Sequence, residues 1–224
     1  MSLSTPTSAS TATANYVDTS TGVTLTASES VNTLKLAPTS AATHALGANV
    51  LTVAGSGILM SSAATASASI TGSTGSLTAG NTPGASDLVV YQNNASQNLT
   101  ISSVIANNAA AALTQTSTAV SAAAVIAGLT STAGVYPGMA VTATGTGGTG
   151  FTNLYVKSVD SGTQVTLSGN VTATVATILN FAQANGLTKA GAGTLVLTGA
   201  NTFTGQVAVL DGTLSINALA AAGT

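Results

Sequence analysis

The chain has no cysteine, no arginine and no tryptophan, and of its 224 residues only 4% are charged and 3% aromatic. Each shortage excludes something. Without cysteine there is no disulfide framework, and with His44 as the sole histidine a structural zinc site is implausible. Without arginine, and with only Lys35, Lys157 and Lys189 as lysines, there is no clustered basic surface to displace counterions from nucleic acid. The net charge of −2 comes from scattered acids and makes no electrostatic funnel. Long apolar runs are missing too. The longest, AVSAAAVIAGL at 119–129, is about half the roughly 20 residues of a membrane-spanning helix. The opening MSLSTPTSAS lacks the basic and apolar regions of a secretion signal, and we expect a piece excised from a longer protein.

What is present is a β vocabulary. Val, Leu and Ala are scattered among Thr, Ser, Gly and Asn, the composition of strands joined by tight turns. Residues 1–15 are Ser/Thr/Ala-rich without periodicity and read as a flexible leader. From Tyr16 short alternating runs follow, among them VNTLKL at 31–36, NVLTV at 49–53, DLVVY at 87–91, GTLVLTG at 193–199 and GTLSI at 212–216. The phrase GTL at Gly193 returns at Gly212, 19 residues on, and GIL at Gly57 is followed by GSL at Gly75 after 18. A period of about 20 residues in strand-forming sequence predicts a solenoid of stacked coils, none able to bury its apolar face alone. At about 19 residues per coil the non-inserted chain makes about eight coils. The competing reading is a β-sandwich with coincidental spacing.

The segment GLTKAGAGTLVLTGANTFTGQVAVLDGTLSINALAAAG, beginning at Gly186, resembles the autotransporter-associated β-strand repeat (passenger-associated transport repeat). Leu187, Thr188, Lys189, Gly191, Gly193, Thr194, Leu195, Leu197, Gly199, Asn201, Thr202, Thr204, Gly205, Gly212, Thr213 and Leu214 fall on its pattern, with Phe203 where the family usually has Tyr and Thr198 where it often has Ser. DLVVYQNNASQNLTISSVIANN at 87–108 is similar as well; the first 80 residues share only the texture. The resemblance implies an all-β, right-handed parallel β-helix in a large bacterial surface or secreted passenger. It also implies that 217–224 stops in mid-repeat, so that the chain continues in a larger one or is completed by a neighbour.

Asn108 and Leu187 are separated by a stretch too long for a structureless loop. Its strand and turn signals, GMAVTATGTGG and LYVKSVDSGTQVTLSG, resemble small β modules of phage and bacterial surface proteins, though the Ile-Pro those modules often carry is missing. The expected organisation is a leader at 1–15, a first β-helix part at 16–112, an inserted small β domain at 113–182 and a second β-helix part at 183–224.

No chemistry stands out. None of Asp18, Glu29, Asp87, Asp160 and Asp211 lies within three residues of another, so a general acid/base pair would have to be assembled by the fold. Asp87 precedes a strand, and Asp160 and Asp211 read as turn formers. His44 is expected on the surface or in a loop, and no G-x-S-x-G elbow accompanies it. TATGTGGTGF at 142–151 has the glycines of a phosphate loop but no Lys-Ser/Thr and no following helix. We therefore expect no catalysis, metal or cofactor. The expected function is structural, as a stalk, adhesin passenger or self-assembling filament unit, extracellular or on the bacterial outer surface, with self-association by end-to-end β stacking. The alternative is a binding module whose inserted domain meets a cell-surface protein or glycan through Tyr136, Phe151 and Tyr155, aromatics that serve equally well as that domain's core.

Overall fold

The computed structural model describes residues 13–80, 86–108, 113–174, 177–182 and 184–217. The described residues are all-β, and no helix occurs among them. They divide into two compact units: one made of 13–80, 86–108 and 185–217, the other of the described residues between 113 and 184. The expected leader at 1–15 lies outside the described residues up to position 12, as does the chain end beyond 217.

The first unit begins with β1 (Asn15–Asp18), β2 (Glu29–Leu36), β3 (Ala42–Ala45), β4 (Val50–Met60), β5 (Ala68–Thr71), β6 (Ser76–Ala79), β7 (Ser86–Gln92), β8 (Leu99–Ile101) and β9 (Val104–Ile105). The second holds β10 (Leu113–Thr116), β11 (Val120–Ile126), β12 (Ala140–Thr144), β13 (Leu154–Ser161), β14 (Gln164–Ala173) and β15 (Ile178–Phe181). The chain then returns to the first unit with β16 (Asn185–Ala190), β17 (Thr194–Leu197), β18 (Val207–Val209) and β19 (Thr213–Ile216).

Every strand pair of the first unit is parallel, in two sheets of order β1-β2-β4-β7-β16-β18 and β3-β5-β8-β17-β19. The long β4 turns at Ser56, a non-glycine residue at φ 64, so its first half pairs β6, which pairs β9, while its second half pairs β7. Side chains alternate across this frame as period two demands. Leu34, Ile58 and Val90 form one inward row, and Ile70, Ile101 and Leu197 another; all are buried. Outward positions carry hydroxyls that bond along the stack: Thr33 to Asn15 at 2.7 Å and Ser69 to Thr43 at 3.2 Å. That is how the unit dispenses with charge. Its outer face is hydrated by hydroxyls that also satisfy one another, and its order comes from backbone pairing.

The 19-residue spacing of Gly193 and Gly212 is a true register, since Thr194 pairs with Thr213 and Leu195 with Leu214. The 18-residue spacing of Gly57 and Gly75 is not. Gly57 lies within β4, whereas Gly75 packs on Asn49 in advance of β6. Elsewhere the spacing of paired residues varies, from Asn15 with Thr33 through Thr52 with Thr78 to Gly57 with Val89, because the corners take up loops of unequal length. Among the described residues the two parallel sheet paths hold six and five strands, with β6 and β9 beside the first path, where a uniform period over the whole non-inserted chain predicts eight coils.

The second unit is antiparallel throughout, in the order β10-β15-β12-β13-β14-β11. Gly162 and Thr163 make the tight turn between β13 and β14, and the core gathers Met139, Val141, Val156, Leu167, Leu179 and Phe181. Within the first unit, the points where the chain leaves and returns are sewn together. Asn107 accepts from the Asn185 amide at 2.8 Å, Asn185 accepts from the Asn108 amide at 2.5 Å, and the Asn185 side chain donates to Ala79 at 2.7 Å.

Candidate functional site

The three aromatics named from sequence fall in different surroundings. Tyr155 stands on β13 opposite Ala140 and is 51% exposed; its backbone amide donates to Ser168. Tyr136 is 48% exposed at a turn closed by Met139, whose sulfur and amide both bond to it. Gly138 of that turn donates to Val156 at 2.9 Å, so the turn is fastened to the strand that carries Tyr155. Phe151 is half-buried and packs against the unit's core.

The ionisable groups are dispersed, and no group of three metal-ligating side chains occurs among the described residues. Their one close pair is His44 with Asp18, Nε2 to Oδ2 at 3.2 Å. This corrects the expectation of a surface histidine: His44 is buried on β3, in register with Ile70. Alternation turns it inward, and Asp18 at the end of β1 supplies a partner there. Burial pulls the imidazole below its ordinary pKa and Asp18 opposes that pull. Asp18 also accepts from the Ser20 hydroxyl at 2.5 Å and the Ser20 amide at 2.7 Å. Ser20 thus donates to the carboxylate, whereas a hydrolytic relay requires the serine to donate to the imidazole. Asp160 is fully exposed and held below the usual carboxylate range by the Ser158 and Thr166 hydroxyls, with Gln164 adding a weaker bond; it braces the β13–β14 turn. Burial raises the Glu29 carboxyl.

The organised chemistry lies instead in the repeat segment. Lys189 is fully buried in the row of Leu34, Ile58 and Val90. Its ammonium donates to the carbonyls of Ala190 at 3.0 Å, Gly191 at 2.5 Å and Asp211 at 2.8 Å. One cation therefore joins a corner to the corner of the next pass, although burial lowers its pKa against the pull of Asp211. Amides do the same work nearby. Asn94 donates to Ser61 and Ala64 and accepts from Ser96 and Gln97, while buried Gln92 donates to Thr194 and accepts from Asn94. Composition gave no hint of these roles, but strand parity carries one: Lys189 shares a face with Leu187.

Residues 187–216, which run from β16 to the end of β19, match the Passenger-associated-transport-repeat family. A 52-residue stretch is 58% identical to the Adhesin BmaC autotransporter of Brucella suis biovar 1 (strain 1330), over 23% of this chain and 2% of that protein. The chain thus spans a small fraction of its relative's length. No solved structure matches it significantly. The protein carries an autotransporter passenger repeat. It belongs at the bacterial outer surface or outside the cell.

Proposed function

We propose that the chain is a structural segment of a surface or secreted passenger: a right-handed parallel β-helix, interrupted by a small antiparallel domain, that serves as stalk or filament unit and performs no catalysis. Parallel crossovers are right-handed almost without exception, which supports the hand. The observation that carries the reading is the in-register continuation of one pass onto the next, Thr194 on Thr213 through Leu197 on Ile216, clamped by Lys189. Its test is to duplicate residues 194–212. A stacked coil accepts the added unit, lengthens by about 4.8 Å and gains stability. Loss of cooperative unfolding in the duplicated chain would contradict the reading.

Two further proposals attach to it. At the β18–β19 edge Val209 and Ile216 occupy inward rows yet are exposed, and Leu210 beside them is 72% exposed. This uncovered edge favours a further parallel coil, from a continuing chain or from a second copy stacked end to end. Electron microscopy at high concentration would reveal filaments in the second case and single particles in the first. The other reading, adhesion to a surface protein or glycan through the inserted unit, is supported by the exposure of Tyr136 and Tyr155 and by the relative's description as an adhesin. Deleting 113–182 abolishes adhesion under that reading and leaves it intact under the structural one.

A further inference from the structure

An open groove of about 620 Å³ crosses the outward face of β1, β2, β4 and β7 in the first unit. Two side-chain rows form it. In the row Asn15–Thr33–Gly57–Val89, Gly57 contributes no side chain and leaves a notch. The adjacent row, Val17–Lys35–Leu59–Tyr91, supplies an apolar surface that ends in a tyrosine 46% exposed. Lys35 is the only charged residue of the lining, which contains none of the chain's five carboxylates, and it has no ion-pair partner among the described residues. Amide side chains stand at the two ends. Asn93 is exposed, and Asn15 has committed its oxygen to Asn32 and Thr33, while its Nδ2 has no partner among the described residues.

We infer that this groove binds an acidic oligosaccharide lying along the stacking direction, its carboxylate on Lys35 and the apolar face of one sugar ring on Tyr91. Three inter-strand steps of about 4.8 Å give a length of about 14 Å, enough for a short run of pyranoses. Each step is close to the length of one sugar in an extended glycan, so ring and row keep phase. The lining has the composition of a small-molecule site, apolar with a few polar groups that fix orientation. An extended peptide fits poorly, because the groove lies on a sheet face and offers none of the free backbone groups that strand addition uses. A lone cation among apolar and amide groups selects an anion. The inference goes beyond the structural role, which stands whether or not a sugar binds.

Calorimetric titration of the full chain with tri-galacturonate and with neutral maltotriose tests it. The acidic sugar binds, and the neutral one binds about two- to fivefold more weakly, the worth of one exposed charge contact. Lys35→Gln abolishes that preference, and Tyr91→Ala weakens binding of the acidic sugar about tenfold. Gly57→Val blocks the groove while keeping the fold, since a Cβ there makes only ordinary contacts, with the Thr33 methyl at 3.5 Å and the Gly55 carbonyl at 4.0 Å, and circular dichroism checks this. Tyr155→Ala, in the other unit, leaves binding unchanged. The inference is overturned if neither sugar binds at about 1 mM. It is equally overturned if Lys35→Gln leaves the preference intact, if binding survives Gly57→Val, or if Tyr155→Ala abolishes it. A change in sedimentation on Gly57→Val would assign the groove to a second copy of the chain and would also overturn it.

Discussion

Two buried ionisable residues carry testable consequences at the residue scale. Lys189→Met leaves the carbonyls of Ala190, Gly191 and Asp211 without their donor, and we expect a loss of about 2–3 kcal/mol, read as a lower urea midpoint at unchanged slope. His44 governs a pH effect. Its folded pKa lies below the ordinary 6.5, so the unfolded chain binds more protons as pH falls through 6.5. This contribution to stability is complete above that pH and declines toward the folded pKa. His44→Gln should therefore flatten the stability profile below pH 6.5, measured by urea midpoints at successive pH values. The raised pKa of Glu29 acts with the opposite sign, and comparing variant with parent cancels it.

Corners decide at the scale of the element. Gly212 has φ +70, and a Cβ on it would lie 2.4 Å from the Gly191 carbonyl of the pass beneath. Gly212→Val meets both backbone strain and collision, and we expect a melting temperature lower by several degrees, equivalent to about 2 kcal/mol or more. Gly162 at the β13–β14 turn is the contrast, since a Cβ there meets nothing within 4 Å. Gly162→Ala should leave stability unchanged or raise it by about 0.4–1 kcal/mol. The difference explains why glycine recurs in the repeat: at its corners the backbone of one pass lies against the backbone of the next. Gly193, beside the Asn94 carbonyl at 2.2 Å from a notional Cβ, is under the same constraint.

For the molecule as a whole, the close stitching of Asn107 and Asn108 to Asn185 has a consequence for modularity. The first unit closes its own hydrogen bonds at the point where the chain departs and returns. Replacing 113–182 with a short Gly/Ser linker should leave a chain that unfolds cooperatively, with the circular dichroism of parallel sheet retained. Collapse of that variant would show that the first unit depends on the second. The two units also differ in what stabilises them. The first relies on register repeated along a stack, the second on a single enclosed core around Phe181.

The sequence by itself determined the all-β class, the repeat at 187–216 and the 19-residue register of Gly193 with Gly212, because glycine corners and alternating Leu and Thr leave few other solutions. It also marked the β13–β14 turn. Tertiary structure alone decided the other registers, since corner loops of unequal length break any fixed period while strand pairing ignores loop length. β3 and β5 were hidden for a related reason: ATHA and ASIT are only four residues long, and they become strands only between neighbours already in place. The meeting of Asp18 with His44, the carbonyl cage around Lys189 and the groove beside Tyr91 all join residues from different passes of the chain. No local pattern encodes such meetings. They follow from which strand lies next to which.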